Sequence, residues 1–245
     1  MKLTVITVVY NSIEMFKKTY FCLSQQTCQN FTWIIKDGCS DDGLELFINE
    51  IKGEFKELVY INKKDNGIYN AMNQALDTDQ LEEGLVTFLN AGDIYSSNLT
   101  LEKVLSLYNK SAGVIAIPVS VAGKEIQQTL ITGYIVNNIC HQATFYNISC
   151  PIVKNTLKFD ERYLLCADFA LLIKLSLSTD IHYLTQVPPV IYETSGISSI
   201  RIYKRLYEKA VIIYSSDLLL INKLFSLLAI LKGGVLHVFN RNSIK

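Results

Sequence analysis

Residues 3–9, "LTVITVV", are all apolar or threonine. A continuous β-rich run of this kind predicts a strand buried on both faces. The spacing of apolar positions then changes to that of a helix over 13–25, with Ser12 as its N-cap. The alternation continues with a strand at "FTWIIK" (31–36), a turn at "DGCSDDG" (37–43) and a helix over 44–52. A third strand is expected at "LVYIN" (58–62), a helix over 68–76 and a fourth strand at "LVTFLN" (85–90). This β-α-β-α-β-α-β rhythm predicts an α/β fold with a mostly parallel sheet covered by helices.

The second half is less regular. "VIAIPVS" (114–120), "KEIQQTLIT" (124–132) and "CHQATFYN" (140–147) read as strands of a mixed sheet. "DFALLIKLSL" (168–177) reads as a helix with Asp168 at its start, and "IHYLTQV" (181–187) as a strand. "ETSGISS" (193–199) reads as a loop, and the chain from 201 onward reads as helical. No internal repeat or low-complexity linker interrupts it.

Ligands of open parallel sheets bind at the carboxyl ends of the strands. Tyr10 and Asn11 follow the first strand, Asp37 the second, Asp65 and Asn66 the third, and Asp93 the fourth. Helix capping accounts for part of this acidic and amide rim. It accounts poorly for Asp93, because the next helix is expected only near Asn98.

Composition narrows the picture. Of 245 residues, 49% are hydrophobic and 19% charged, which suits a large core and excludes global disorder. The six cysteines form no C-x-x-C pair, so neither a zinc site nor a redox dithiol is expected. "MKLTVITVVYN" lacks the small-residue cleavage site of a secretory signal, so reduced thiols in a cytoplasmic chain are expected. Net charge is zero but uneven: residues 1–200 carry 15 basic and 21 acidic side chains, and residues 201–245 carry 8 and 2. No basic patch interleaved with aromatics is present, so nucleic acid is not an expected partner.

The basic tail is also the most apolar segment. In "DLLLINKLFSLLAILKGGVLHVF" (217–239) the uncharged run 224–231 lies between Lys223 and Lys232. That is far short of the ~20 residues a spanning helix needs. Two readings stay open: a helix packed on the rest of the chain, or a helix lying in the interface of an anionic membrane. The expected division is a catalytic domain over 1–200, with halves 1–95 and 96–200, and a helical tail over 201–245.

The ordered set "TVVYNS … QQT … NFTWIIKDGCSDDG … KDNGIYNAMNQAL … TFLNAGDIY … HQATFY … ADFALLIKL" resembles glycosyltransferase family 2 and its GT-A fold. The nearest resemblance is to bacterial enzymes of colanic-acid, capsule and O-antigen assembly, over about residues 1–200. The resemblance implies an inverting transferase that moves a sugar from a nucleotide donor, a UDP-sugar, to a polyprenyl-linked or oligosaccharide acceptor. The charge split and the short apolar run of the tail predict peripheral attachment at the inner face of the cell membrane, which suits such a lipid-linked acceptor.

The implied site residues follow the motifs. Thr7, Tyr10 and Asn11 match the family loop against the nucleotide. Asp37 matches the Asp that accepts a hydrogen bond from uracil, and Asp65 and Asn66 match the loop near base and metal. Asp93 matches the last Asp of the D-x-D motif, which implies Mg²⁺ or Mn²⁺ held together with the diphosphate. Ala91 stands where that motif has its first Asp, and Met72 replaces a family Arg. Asp168 matches the catalytic base, with Ala167 and Ala170 in place of neighbouring acids. His141 reads either as a satisfied structural histidine or as a donor or acceptor contact. His182 and His237 read as structural. Ser198 lies in "SGISS", which resembles a loop that closes over the donor. Two rival readings remain: a sugar nucleotidyltransferase, although "VVYNSIE" lacks the Gly-rich loop it would want, and a degenerate scaffold without activity.

Overall fold

The structure is a computed structural model and describes residues 2–121, 123–191 and 201–242. The first part runs β1 (Lys2–Val9), α1 (Ile13–Ser24), β2 (Thr32–Asp37), α2 (Leu44–Ile51), β3 (Glu57–Asn62), α3 (Ile68–Leu76) and β4 (Gly84–Phe88). It continues with β5 (Ile94–Tyr95), α4 (Thr100–Leu107), β6 (Val114–Ala116), β7 (Val119–Val121), β8 (Lys124–Ile126), β9 (Ile131–Thr132) and β10 (Ile135–Val136). A 3₁₀ turn (His141–Ala143) leads into β11 (Thr144–Asn147), α5 (Pro151–Thr156), α6 (Ala167–Ser176), β12 (Ile181–Tyr183) and β13 (Val190–Ile191). Two helices follow, α7 (Ile202–Ser215) and α8 (Leu220–Asn242).

The main sheet has the order β12-β6-β11-β4-β1-β2-β3. β1 pairs parallel with β2 and β4, and β2 pairs parallel with β3. β11 alone among these strands runs antiparallel, between β4 and β6. Alternate residues of the central strands feed two cores. Ile6, Val8, Ile34, Val86 and Phe88 face α3, α6 and α7, whereas Val5, Val9, Trp33, Ile35 and Leu85 face α1, α2 and α4. Burial on both faces is the reason these strands lack polar alternation.

The second half departs from expectation in instructive ways. "VIAIPVS" splits at Pro118, which has no N–H for the ladder. β6 stays in the main sheet, while β7 joins a second sheet of order β5-β13-β7-β8. "KEIQQTLIT" likewise divides into β8 and β9, and β9 pairs with β10 as a separate hairpin. The first residues of "CHQATFYN" form the 3₁₀ turn and not a strand, and "IHYLTQV" is extended only over Ile181–Tyr183. The expected loop 193–199, with Ser198, lies outside the described residues.

Residues after 201 pack into the main core. Ile212, Ile213 and Leu218 belong to the same core cluster as Ile34 and Val86. Glu208 of α7 is buried, and its carboxylate accepts the amides of Leu164 (3.1 Å) and Leu165 (2.8 Å). These residues lie just ahead of α6, so the C-terminal part of the chain fastens the entrance of that helix. Glu208→Ala strands both amides, and a buried unsatisfied group costs about 1–3 kcal/mol. The variant is expected to lower the urea midpoint clearly, and Glu208→Gln, which keeps one acceptor, less. An alanine variant as stable as the parent would contradict this fastening role.

Candidate active site

The loops after β1 and β2 are tied to each other at the carboxyl end of the sheet. The Asn11 amide donates to Ser40 Oγ (2.8 Å), and the Asp41 amide donates to Asn11 Oδ1 (2.9 Å). Asn11 adopts φ +44°, a left-handed conformation that asparagine tolerates better than most residues. α1 is capped across this junction: the Ile13 amide donates to Asp42 Oδ2 (2.7 Å), and the Ser12 side chain makes no cap bond.

Asp37 is fully buried beneath the junction. Its Oδ1 accepts the Ser40 amide (2.9 Å) and hydroxyl (2.6 Å), and its Oδ2 accepts the Tyr60 hydroxyl (2.8 Å). Burial, then the bond to Asp37, pushes the Tyr60 phenol well above its ordinary range, so it remains a donor. Asp37 therefore shapes the loop from below, and its carboxylate does not lie open to a base. Thr7 is likewise sealed inside. Its hydroxyl donates to the Leu89 carbonyl (2.8 Å) and accepts from the Trp33 indole (2.9 Å), so it clamps β1 to β4 and does not line the rim.

Tyr10, Gly38 and Asp65 do converge at the surface of the rim. A Cβ on Gly38 would come within 2.8 Å of Asp65 Oδ2 and 3.1 Å of Tyr10 Cδ2, so a larger residue there would push these side chains aside. Asp65 is held by a lysine the sequence reading passed over. Lys36, fully buried, donates to the carbonyls of Asp37 (2.9 Å) and Lys63 (2.5 Å) and to Asp65 Oδ2 (3.0 Å). Its signal was a lysine inside the otherwise closed strand "TWIIKD". Asp65 Oδ1 accepts the Gly67 amide (3.0 Å), and exposed Asn66 closes the turn through its amide to Asn70 Oδ1 (3.1 Å).

After β4 the backbone doubles back around Thr19 of α1. The Thr19 hydroxyl donates to the carbonyls of Asn90 (3.2 Å) and Asp93 (3.0 Å) and accepts the Gly92 amide (3.0 Å). Gly92 takes φ +100°, which lets the turn bring Asp93 back towards the sheet. Asp93 is buried, and its charge helps burial push the Cys140 thiol up to about 12. Among the described residues no group of three or more His, Cys, Asp or Glu side chains could cage a metal. A cation beside Asp93 would need a ligand's oxygens to complete its shell.

Asp168 is supplied by the second half of the chain, from α6. Cys166 is the N-cap of α6, so Asp168 is the second residue of that helix and not its cap. Its Oδ1 accepts the Tyr69 hydroxyl (2.8 Å), and Tyr69 stacks on Phe159 with ring centroids 5.4 Å apart. The same helix α3 grips the approach to α6 with amides. Asn73 donates to the Phe159 carbonyl (2.9 Å) and to Glu161 Oε1 (2.8 Å) and accepts the Phe159 amide (2.9 Å). Asn70 donates to Glu161 Oε2 (3.0 Å). The sequence reading missed Tyr69, although "NGIYNAMN" carries polar residues at helical spacing on an otherwise apolar helix.

His141 lies between this carboxylate and the β4 turn. Its Nε2 is 3.3 Å from Asn90 Nδ2, and its ring meets Phe88 (5.9 Å) and Phe159 (6.4 Å). Burial lowers its pKa and the charge of Asp168 opposes that shift, with burial the larger effect. The imidazole is thus held neutral beside the carboxylate, and its buried Nδ1 has no partner. His182 lies on the edge strand β12, far along the sheet from β4, and His237 has no described side chain.

No protein of curated function matches the chain. Solved structures of the same fold do. S. aureus TarS 1–349 in complex with UDP-GlcNAc aligns at 20% identity and a TM-score of 0.71, over 94% of this chain and 72% of that one. Against a longer structure of S. aureus TarS the TM-score is 0.68 at 20% identity, over 91% of this chain and 41% of that one. The mannosyltransferase PcManGT from Pyrobaculum calidifontis, in complex with GDP-Man and Mn²⁺, aligns at 14% identity and a TM-score of 0.68, over 86% and 63% of the two chains. At these identities the likeness concerns the fold, a GT-A arrangement of sheet and helices. The family model described as glycosyl transferase family 2 matches residues 4–171, well over half of the chain, which therefore belongs to that family of glycosyltransferases.

Proposed function

We propose that the protein transfers one sugar, with inversion, from a nucleotide donor, a UDP-sugar, to a polyprenyl-linked or oligosaccharide acceptor in bacterial surface-polysaccharide synthesis. The observation that carries the reading is the Asp168 carboxylate, fixed by the Tyr69 hydroxyl and flanked by neutral His141. The UDP assignment draws support from the TarS complex with UDP-GlcNAc, although the PcManGT complex holds GDP-Man.

Tyr10, Asn11, Asp65 and Asn66 form the surface for the base and ribose, with Lys36, Asp37 and Thr7 behind them. Asp65, half-buried at the rim and held by Lys36, is the carboxylate assigned to a base N–H, and charge-assisted bonds of this kind are about twice as strong as neutral ones. Asp168 accepts the proton of the acceptor hydroxyl as that oxygen attacks the anomeric carbon. Tyr69 fixes the direction of the carboxylate and leaves Oδ2 for the acceptor. His141, uncharged, adds a polar edge beside the carboxylate. Asp93 would hold Mg²⁺ or Mn²⁺ jointly with the donor diphosphate, and such an ion neutralises charge on the departing nucleotide. The single motif carboxylate also favours a second reading, a scaffold without turnover.

Asp168→Asn is expected to leave donor affinity unchanged and to lower turnover ~10²–10⁴-fold, the usual share of general-base catalysis. Donor binding by calorimetry and sugar transfer or donor hydrolysis measure the two quantities separately. Equal losses in both would mark Asp168 as structural, and no turnover in the parent chain with any donor would favour the scaffold. Excess chelator or Asp93→Asn should abolish most turnover while the circular dichroism spectrum stays native. Full activity in chelator would remove the cation from the account.

A further inference from the structure

Helix α8 is built inside out. Its polar residues Asn222 and Ser226 are buried, and both are used against the β9–β10 hairpin. Asn222 Nδ2 donates to the Tyr134 carbonyl (3.3 Å), and Ser226 Oγ accepts the Val136 amide (2.8 Å). Leu227 and Ile230 lean on the core, and the arc opposite Asn222 and Ser226 carries large apolar side chains into solvent. Leu220, Leu224, Leu228 and Leu231 recur at helical spacing on that arc, and Leu220 is 81% exposed.

The apolar surface extends beyond one helix. Exposed Phe225 stacks on exposed Tyr134 at the hairpin tip, with ring centroids 5.4 Å apart. On α7, Tyr203, Tyr207 and Tyr214 lie one above another at i, i+4 and i+11, and Tyr214 is 75% exposed. Tyrosine combines an apolar ring with a polar tip and is favoured where hydrocarbon meets water. Lys204 and Lys232 are exposed along the same two helices, and Lys223 donates to the Tyr214 carbonyl (3.1 Å). No acidic residue occurs after Asp217, and Glu208 is buried and engaged.

We infer that the outer arc of α8, with the β9–β10 hairpin tip and the α7 tyrosines, docks on the surface of an anionic lipid bilayer. The leucines enter the acyl boundary, the tyrosines lie at the headgroups and the lysines meet lipid phosphates. Among the described residues no helix is long and apolar enough to cross a membrane, which suits a helix lying in the interface. Charge decides against a second copy of the chain as the occupant. The surface carries exposed Lys204 and Lys232 against one exposed acid, Asp217, so a two-fold contact would bring a net excess of positive charge from both copies together, and like charges across an interface are costly. The surface deepens the proposed use of a lipid-linked acceptor and rests on that reading only for its purpose.

The test uses the full chain and two vesicle preparations, phosphatidylcholine alone and phosphatidylcholine with phosphatidylglycerol. The chain is expected to sediment with the anionic vesicles and to be partly released by high salt. Leu220→Gln/Leu224→Gln/Leu228→Gln should lower partitioning about tenfold or more. Lys204→Gln/Lys232→Gln should remove much of the salt-sensitive part. Donor hydrolysis without vesicles should stay at the parent level in both variants, because none of these residues lies in the catalytic site. A chain that ignores both preparations, or a leucine variant that binds like the parent, overturns the inference. So does a dimer that the leucine variant dissociates without any vesicle binding. Vesicle binding by a chain that hydrolyses no donor would remove the transferase reading and leave this surface standing.

Discussion

The hydrogen bond from Tyr69 to Asp168 joins residues 99 positions apart and connects the two halves of the chain. One end belongs to α3, which follows β3. The other end opens α6, which packs beneath the sheet in the second half. A carboxylate that is only 9% exposed cannot keep its direction by hydration, so its donor fixes where it points. A bond to a charged group contributes about 1.5–3 kcal/mol, and here much of that is spent on orientation. From the same helix, Asn73 holds the Phe159 backbone and Asn70 the Glu161 carboxylate. Glu208 completes the frame from the C-terminal side by accepting two amides just ahead of α6.

The site consequently has two kinds of residue. Tyr10, Asn11 and Asn66 are exposed at the carboxyl rim, with Asp65 half-buried among them. Thr7, Asp37 and Lys36 lie behind that rim and bind strands and turns together. Lys36 shows the distinction clearly: three acceptors surround its ammonium, which leaves no proton for a ligand. Its effect on a bound nucleotide would pass through Asp65.

Much of the first half was legible in the sequence because strands buried on both faces are almost continuously apolar. β1 to β4 and α1 to α3 fall within a residue or two of their expected limits. The second half was less legible because its strands are two to four residues long and change sheets. Pro118 was visible, yet its consequence depended on which sheet received β7. The rim carboxylates were placed correctly along the chain, but the burial of Asp37 arises from Tyr60 and Ser40 closing over it. Tyr69 and Glu208 were missed for a related reason. Each is defined by a partner far away in sequence, and nothing local marks an acid in mid-helix as a ligand for two distant amides. The C-terminal residues looked separable by charge and hydropathy, whereas Ile212, Ile213 and Leu218 share the main core.

The central claim is that Asp168 performs the proton transfer and that Tyr69 acts through it. A double-mutant cycle on turnover with saturating donor tests this most directly, because paired residues give non-additive losses. Tyr69→Phe should lower turnover in the parent chain and have almost no further effect once Asp168→Asn is present. If the two losses multiplied, Tyr69 and Asp168 would act independently, and the account of a tyrosine-oriented base would be wrong.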